Sequence, residues 1–139
     1  MIERATVLCR RGDRILLVAR AESRWALPGG KPHREETMLD AARRELLEET
    51  GLAGRGVRYL FRLAGGHKLH HVFVADIDAD ATARPAQEIA HCAWIDRQAI
   101  GSIICSRPTP VIVALAHGIL DREPHRSNVA GDVMSAVMA

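Results

Sequence analysis

The chain has few cysteines, no long apolar run and no strong charge of either sign. Cys9, Cys92 and Cys105 are odd in number and widely spaced, and no Cys-x-x-Cys pair occurs. Neither a disulfide framework nor a zinc site is therefore expected, and a reducing cytoplasm fits best. The longest apolar run, Val111 to Ala116, falls far short of the roughly 20 residues that span a bilayer, so no membrane segment is expected. Met1-Ile2-Glu3-Arg4 carries no signal-peptide apolar region. The formal net charge is only +2. That is too mild for a surface that holds nucleic acid stably, while a small anionic substrate stays compatible. Internal repeats and linkers are also missing. What remains is ordinary: 139 residues, 47% hydrophobic and 26% charged. This reads as one globular domain over residues 1–139 with one core.

The elements follow from periodicity and punctuation. Arg4 to Arg10 and Arg14 to Arg20 are rich in leucine and β-branched residues around Arg11-Gly12-Asp13, which predicts a hairpin. Ile15 to Val18 is continuously apolar and reads as a strand covered on both faces. The basic ends Arg10, Arg11, Arg14 and Arg20 read as solvated caps, with a phosphate contact from one of them left open. Trp25, in the connector that follows, reads as a packing residue. A helix is expected from Glu36 or Thr37 to a glycine cap at Gly51, with Leu39, Ala42 and Leu46 facing the core and Leu47 widening that stripe. Val57, Tyr59, Phe61 and Leu63 alternate with Arg58, Leu60 and Arg62, which predicts a strand with one aromatic face. Leu69 to Ile77 is the next strand, Asp78 to Pro85 a loop, and Cys92 to Asp96 another short strand. Thr109 as N-cap and Pro110 as first residue open a last helix that Gly118 would end. Its apolar run needs cover from the sheet or from a partner subunit. Residues 121–139 read as an irregular tail. This order predicts an α/β/α sandwich around a mixed sheet, with a homodimer through the last helix or the first strand as an expectation.

Chemistry concentrates in Gly29 to Leu52. On the expected helix Glu45, Glu48 and Glu49 stand at i, i+3 and i+4, so three carboxylates share one face. Glu45 and Glu49, one turn apart, repel by roughly 0.2–0.5 kcal/mol when exposed. A solvated acidic face is one reading of such a cluster. A hard cation held by oxygen ligands, Mg²⁺ or Mn²⁺, is the other. Arg44 lies one turn before Glu48 and can orient it. Pro28-Gly29-Gly30 is a turn where backbone can approach a ligand and offer a bare carbonyl. His67, His70 and His71 invite a metal reading, but His70 and His71 point to opposite strand faces, which argues against one shared ion. A single imidazole touching substrate stays open.

The spacing is Gly30, five residues, Glu36, seven residues, Arg44-Glu45-Leu46, one residue, Glu48-Glu49, one residue, Gly51-Leu52. With the Leu27-Pro28-Gly29-Gly30 lead-in it resembles the signature of the Nudix hydrolases at every defined position. The resemblance implies the Nudix fold with this stretch as its loop–helix–loop. It also implies metal-dependent hydrolysis of a diphosphate bond in a nucleoside diphosphate derivative. Glu45, Glu48 and Glu49 would hold Mg²⁺ or Mn²⁺, with support from Glu36 and the Gly29 carbonyl. Arg44 would have an orienting role. The general base is left open between Glu45 and Glu88, because a glutamate on the loop before a tryptophan-bearing strand often returns to the site in this family. Lys31, Arg58 and His71 are the candidate substrate contacts. Downstream marks of two subfamilies, a tyrosine in diadenosine polyphosphate hydrolases and a proline in ADP-ribose hydrolases, would fall on His67, Lys68 and Leu69, and neither is present. Short loops lean the reading to the MutT-like (deoxy)nucleoside triphosphate pyrophosphohydrolases. An ADP-ribose, nucleotide-sugar or dinucleotide pyrophosphatase is the alternative. A non-catalytic nucleotide-sensing module is a minor one, because such modules commonly lose carboxylates that this chain keeps.

Overall fold

Gly12 turns the chain back at φ +58°, a left-handed conformation that glycine adopts without strain. On either side lie β1 (Ile2–Arg11) and β2 (Arg14–Arg20), in a computed structural model that describes residues 1–124. A two-residue strand, β3 (Gly29–Gly30), follows, then helix α1 (Met38–Thr50), strands β4 (Arg58–Gly65), β5 (Lys68–Asp76) and β6 (Ile89–Asp96), and helix α2 (Pro108–Leu120). A short 3₁₀ turn, Arg97–Ser102, joins β6 to the last helix. The sheet runs β4-β5-β1-β2-β6, with β3 added beside β1. Among the strands of the described residues only β1 and β5 pair in parallel; the other neighbours are antiparallel.

Alternation along β1 divides the core. Ala5, Val7 and Cys9 face α1, where they meet Ala41, Ala42 and Leu46. Leu8 faces α2 with Ile15, Leu17, Val72, Val74, Ile112, Val113 and Ala116. Both faces of the sheet are covered, which makes the expected α/β/α sandwich. It also explains why Ile15 to Leu17 is wholly buried and reads as an unbroken apolar run. Helix α1 begins at Thr37, whose hydroxyl accepts from the Asp40 N–H at 3.0 Å, and ends at Gly51 in the left-handed region, φ +74°. Among the described residues no helix is long and apolar enough to cross a membrane.

Several expectations are corrected. Leu47 does not widen the buried stripe of α1; it is 56% exposed, because the core face is taken by Ala41, Ala42, Leu46 and Thr50. The alternation of β4 is broken, since its register against β5 shifts between Tyr59 and Phe61. A β-bulge adds a residue and re-aims the side chains beyond it, so Leu60, Phe61 and Leu63 all pack towards α2. Arg11 is no solvated cap: its guanidinium stacks 4.3 Å from the Trp94 ring and donates to the carbonyls of Asp78 and Ala81. The last helix starts at Pro108 rather than Pro110 and passes Gly118 to Leu120; Thr109 lies inside it, its hydroxyl 2.7 Å from Ser106. That helix is buried on one side only, leaving Val111, Leu115 and Ile119 exposed. Strand β1 lies inside the sheet, with β5 on one edge and β2 and β3 on the other. From Ala5 to Arg10 the first strand has neighbours on both sides. The expected tail beyond residue 124 lies outside the described residues.

Candidate active site

Two glycines let the site form. A Cβ on Gly29 would strike the Ala5 carbonyl of β1, and one on Gly30 would strike the Glu45 carboxylate. Bare backbone at both positions lets the turn run between β1 and α1, with the helix's acidic face against it. From the other side the Gly29 N–H donates to Glu49 at 2.8 Å.

Around this contact lies a cavity of about 360 Å³ lined by Arg4, Arg20, Gly29, Gly30, Lys31, Glu45, Glu48, Glu49, Gln87 and Glu88. The chain thus brings together the three helix carboxylates, Gly29, Lys31 and Glu88. Glu88 arrives from the loop before β6 and pairs with Arg20 at 2.7 Å. Beside it Gln87 holds a left-handed φ of +57°, a conformation that costs energy outside glycine and is often kept at functional loops.

Arg44 is the hub behind the carboxylates. Its Nε and Nη2 grip both oxygens of Glu36 at 2.8 and 2.9 Å, and Nη2 also reaches the Lys31 carbonyl at 3.0 Å. Nη1 donates to Glu45 at 2.8 Å and to Glu48 at 3.2 Å. Hydrogen bonds from Arg44 and from the His33 N–H hold Glu36 well below the usual carboxylate range, at about 2. Both Glu36 oxygens are taken, and Glu36 does not line the cavity. In this arrangement Glu36 makes a positioning contact: it fixes Arg44, which holds Glu45 and Glu48.

Glu49 is the opposite case. Burial, then the nearby Glu45 carboxylate, push its pKa up to about 7 against the hydrogen bond from Gly29. Arg4 and Arg20 nearby pull the other way but do not outweigh the burial. The donor set of Glu45, Glu48 and Glu49 is all oxygen, and it borders a cavity open to solvent, so its chemistry fits a hard divalent cation. As they stand Glu45 and Glu48 are turned to Arg44 and Glu49 to the Gly29 N–H, and among the described residues no three acidic, histidine or cysteine side chains converge as a ready cage. Like charges repel, and each takes the nearest N–H.

Two candidate substrate contacts are not brought to the site. Arg58 lies in another cavity with Arg10, Asp76 and Asp121 and pairs with Glu123. His71 bonds Glu3 at 3.0 Å and packs near Tyr59; the pleat turns it away from the face that His70 occupies. The residues in their place are Arg4 and Arg20. Arg20 was legible only as one of several basic strand ends. Arg4 carries a signal of its own: in phase with Thr6 and Leu8, it falls on a covered face of β1.

Arg4 also lines a second, larger cavity of about 630 Å³, with Thr6, Leu27, Leu63, His67, Lys68, His70, Ser106, Arg107 and Thr109 among its walls. It therefore stands at the boundary between a small charged cavity and a roomier, more apolar one.

Comparison with known proteins agrees with this geometry. A family model for the NUDIX domain matches residues 2–110. The m7GpppN-mRNA hydrolase NUDT17 of Danio rerio is 29% identical over 128 residues, 72% of this chain and 43% of that protein. YtkD of Bacillus subtilis (strain 168), named as a proposed 8-oxo-dGTP diphosphatase, is 34% identical over 76 residues, 52% of this chain and 48% of that protein. The chain spans under half the length of these curated relatives. Among solved structures, a Nudix hydrolase family member from Chromobacterium violaceum superposes with a TM-score of 0.75 at 27% identity, covering 99% of this chain and 88% of that one.

Proposed function

The chain belongs to the NUDIX domain family, whose hydrolases act on pyrophosphate bonds of nucleotide derivatives, and from that premise we propose that it hydrolyses (deoxy)nucleoside triphosphates to the monophosphate and pyrophosphate. The observation that carries this reading is one cavity holding Glu45, Glu48 and Glu49 opposite Arg4, Arg20 and Lys31.

The reaction needs that pairing of signs. Water adds to a phosphorus of the diphosphate and the bridging P–O bond breaks, so charge develops on the leaving oxygen. Arg4, Arg20 and Lys31 would offset the phosphate charge and orient the chain of phosphates. Glu45, Glu48 and Glu49, with the Gly29 carbonyl, would hold divalent metal. A bound Mg²⁺ or Mn²⁺ supplies further neutralisation and makes water more acidic. Arg44, clamped by Glu36, keeps Glu45 and Glu48 aimed at the cavity. Glu45 and Glu88 both border it, and either would serve as general base. The three cysteines are free thiols, which supports a reducing cytoplasm as the compartment.

A second reading rests on the larger cavity. About 630 Å³ beyond Arg4 is within the range of sites for drug-sized ligands. That leaves room for the second half of an ADP-ribose, nucleotide-sugar or dinucleotide substrate. The deciding experiment is phosphate release from a panel of nucleoside triphosphates, ADP-ribose, diadenosine polyphosphates and nucleotide sugars, with Mg²⁺ or Mn²⁺ and a Glu48→Gln control. Turnover that the control abolishes is expected, fastest on a triphosphate. Fastest turnover on a sugar or dinucleotide selects the second reading, and tight binding with no turnover anywhere overturns both.

A further inference from the structure

In the larger cavity one polar side chain has no protein partner for its free atom. His70 is 5% exposed. It sits on β5 directly between Arg4 of β1 and Leu63 of β4, so the three form a row across the sheet on the α2 side. Its Nδ1 lies 3.0 Å from the hydroxyl of Thr6, itself 2% exposed. Nε2 makes no hydrogen bond within the described residues, yet it is not a sealed, orphaned atom. It therefore opens to the cavity that His70 lines.

The direction of the Thr6 bond fixes what Nε2 offers. The Thr6 hydroxyl has no other side-chain or backbone partner among the described residues. If it accepted from Nδ1, its own proton would have to find an acceptor in the cavity that Thr6 also lines. If it donates to Nδ1, only lone pairs go unused. With the hydroxyl donating, Nδ1 accepts and the ring proton sits on Nε2. Burial, with the cations Arg4 and Lys68 nearby, lowers the His70 pKa and keeps the ring neutral. The cavity thus presents a fixed neutral donor amid apolar walls that include Leu27, Leu63 and Ile112.

We propose that His70, held by Thr6 as an Nε2–H donor, is a specificity-determining residue that selects nucleotides whose ring carries an exocyclic carbonyl over those carrying an exocyclic amino group. The inference rests on the hydrolase reading, in which Arg4 marks where phosphates end and the rest of the nucleotide begins. A carbonyl oxygen accepts from Nε2–H. An amino group at the same position sets donor against donor and leaves both unpaired. A site built around one hydrogen bond rejects the mismatched partner strongly when the groups are buried.

The test uses two pairs of triphosphates that differ in that group and in the protonation of the ring nitrogen beside it: inosine against adenosine, and uridine against cytidine. Turnover and binding by titration calorimetry are measured for the wild type, His70→Phe and Thr6→Val, with thermal melts to verify folding. The expected result is a carbonyl preference of about 10- to 100-fold in kcat/KM and in affinity. His70→Phe brings both ratios within about threefold of unity by raising KM for the carbonyl members, with kcat little changed. Thr6→Val keeps the ring but frees its tautomer, and erodes the preference part of the way. No preference in the wild type overturns the proposal. So does a His70→Phe loss shared equally by all four nucleotides, which would mean that His70 holds a group common to them or only supports the fold. If nothing is turned over, the hydrolase reading fails, and the binding ratios still decide the role of His70.

Discussion

The two cavities that meet at Arg4 are built in different ways. The smaller takes its carboxylates from one turn of α1 and its floor from the turn at Gly29 and Gly30, some fifteen residues earlier in a single stretch of sequence. The larger gathers Arg4 and Thr6 from β1, Leu63 from β4, His70 from β5 and Ser106 to Thr109 from before and within α2. The first has a local core, to which Arg4, Arg20, Gln87 and Glu88 come from other segments, whereas the second exists only once the sheet is assembled. Charge divides them too. Water and ions can reach the first, whereas apolar walls dominate the second and make each polar group there count for more. Chemistry common to many nucleotides suits the local cavity, and discrimination among nucleotides suits the assembled one.

The largest expected effects therefore fall in the local cavity. Glu48→Gln removes a charge from the proposed metal-binding face without altering shape, and should lower kcat by about 10³-fold or more on every substrate. Thermal melting should barely move, because Glu48 is partly exposed and its bond to Arg44 is one of several. A loss under tenfold would end the metal-ligand assignment. Gly30→Ala attacks the same cavity by sterics alone. The added methyl must displace the Glu45 carboxylate, so a loss on the order of 10²-fold is expected, as for other small misplacements at reacting centres. If Gly30→Ala were as active as the wild type, the contact between the turn and Glu45 would be unimportant.

The same contrast sets what could be read from the sequence. Helix α1, its Thr37 and Gly51 caps and the juxtaposition of Glu45, Glu48 and Glu49 all follow from spacing within one segment. So did the hairpin and the buried run at Ile15 to Leu17. The misreadings needed knowledge of other segments. Leu47 is apolar and in phase, but α1 had already filled its core face with smaller residues. Val111 and Leu115 are apolar, but the sheet covers only one side of α2. Arg58 and His71 were the right residue types, yet strand register carried them to the wrong place, and a β-bulge that no single-strand pattern reveals changed the phase of β4. Arg4 and His70 become neighbours through a parallel pairing between strands more than sixty residues apart in sequence.

Glu49 gives an intermediate prediction. Its pKa rises from 4.5 in the open chain to about 7 when folded. The folded state binds the extra proton between those values, so stability is undiminished below pH 4.5 and declines as pH rises through 7. The size of the decline is on the order of 3 kcal/mol. Glu49→Gln should flatten that part of the profile. In metal-free buffer, melts from pH 4.5 to 8 on both proteins should separate the curves. Addition of Mg²⁺ at pH 8 should raise the melting temperature of the wild type and leave Glu49→Gln much less affected. Parallel profiles for the two proteins would mean that the burial of Glu49 is already compensated in the folded chain.

The smallest effect should come from outside both cavities. Arg58→Ala removes an ion pair with Glu123 in which both side chains keep over a third of their surface in water, so the loss of stability should stay under about 1 kcal/mol. The pair joins β4 to the end of α2, and neither residue borders Arg4. Steady-state kinetics on the best substrate should therefore differ from wild type by less than threefold in both kcat and KM. A large rise in KM would break the division of labour, since a substrate group would then have to reach past the walls of the assembled cavity to β4. A modest fall in melting temperature with kinetics unchanged would confine recognition to the row that runs from Arg4 to Leu63.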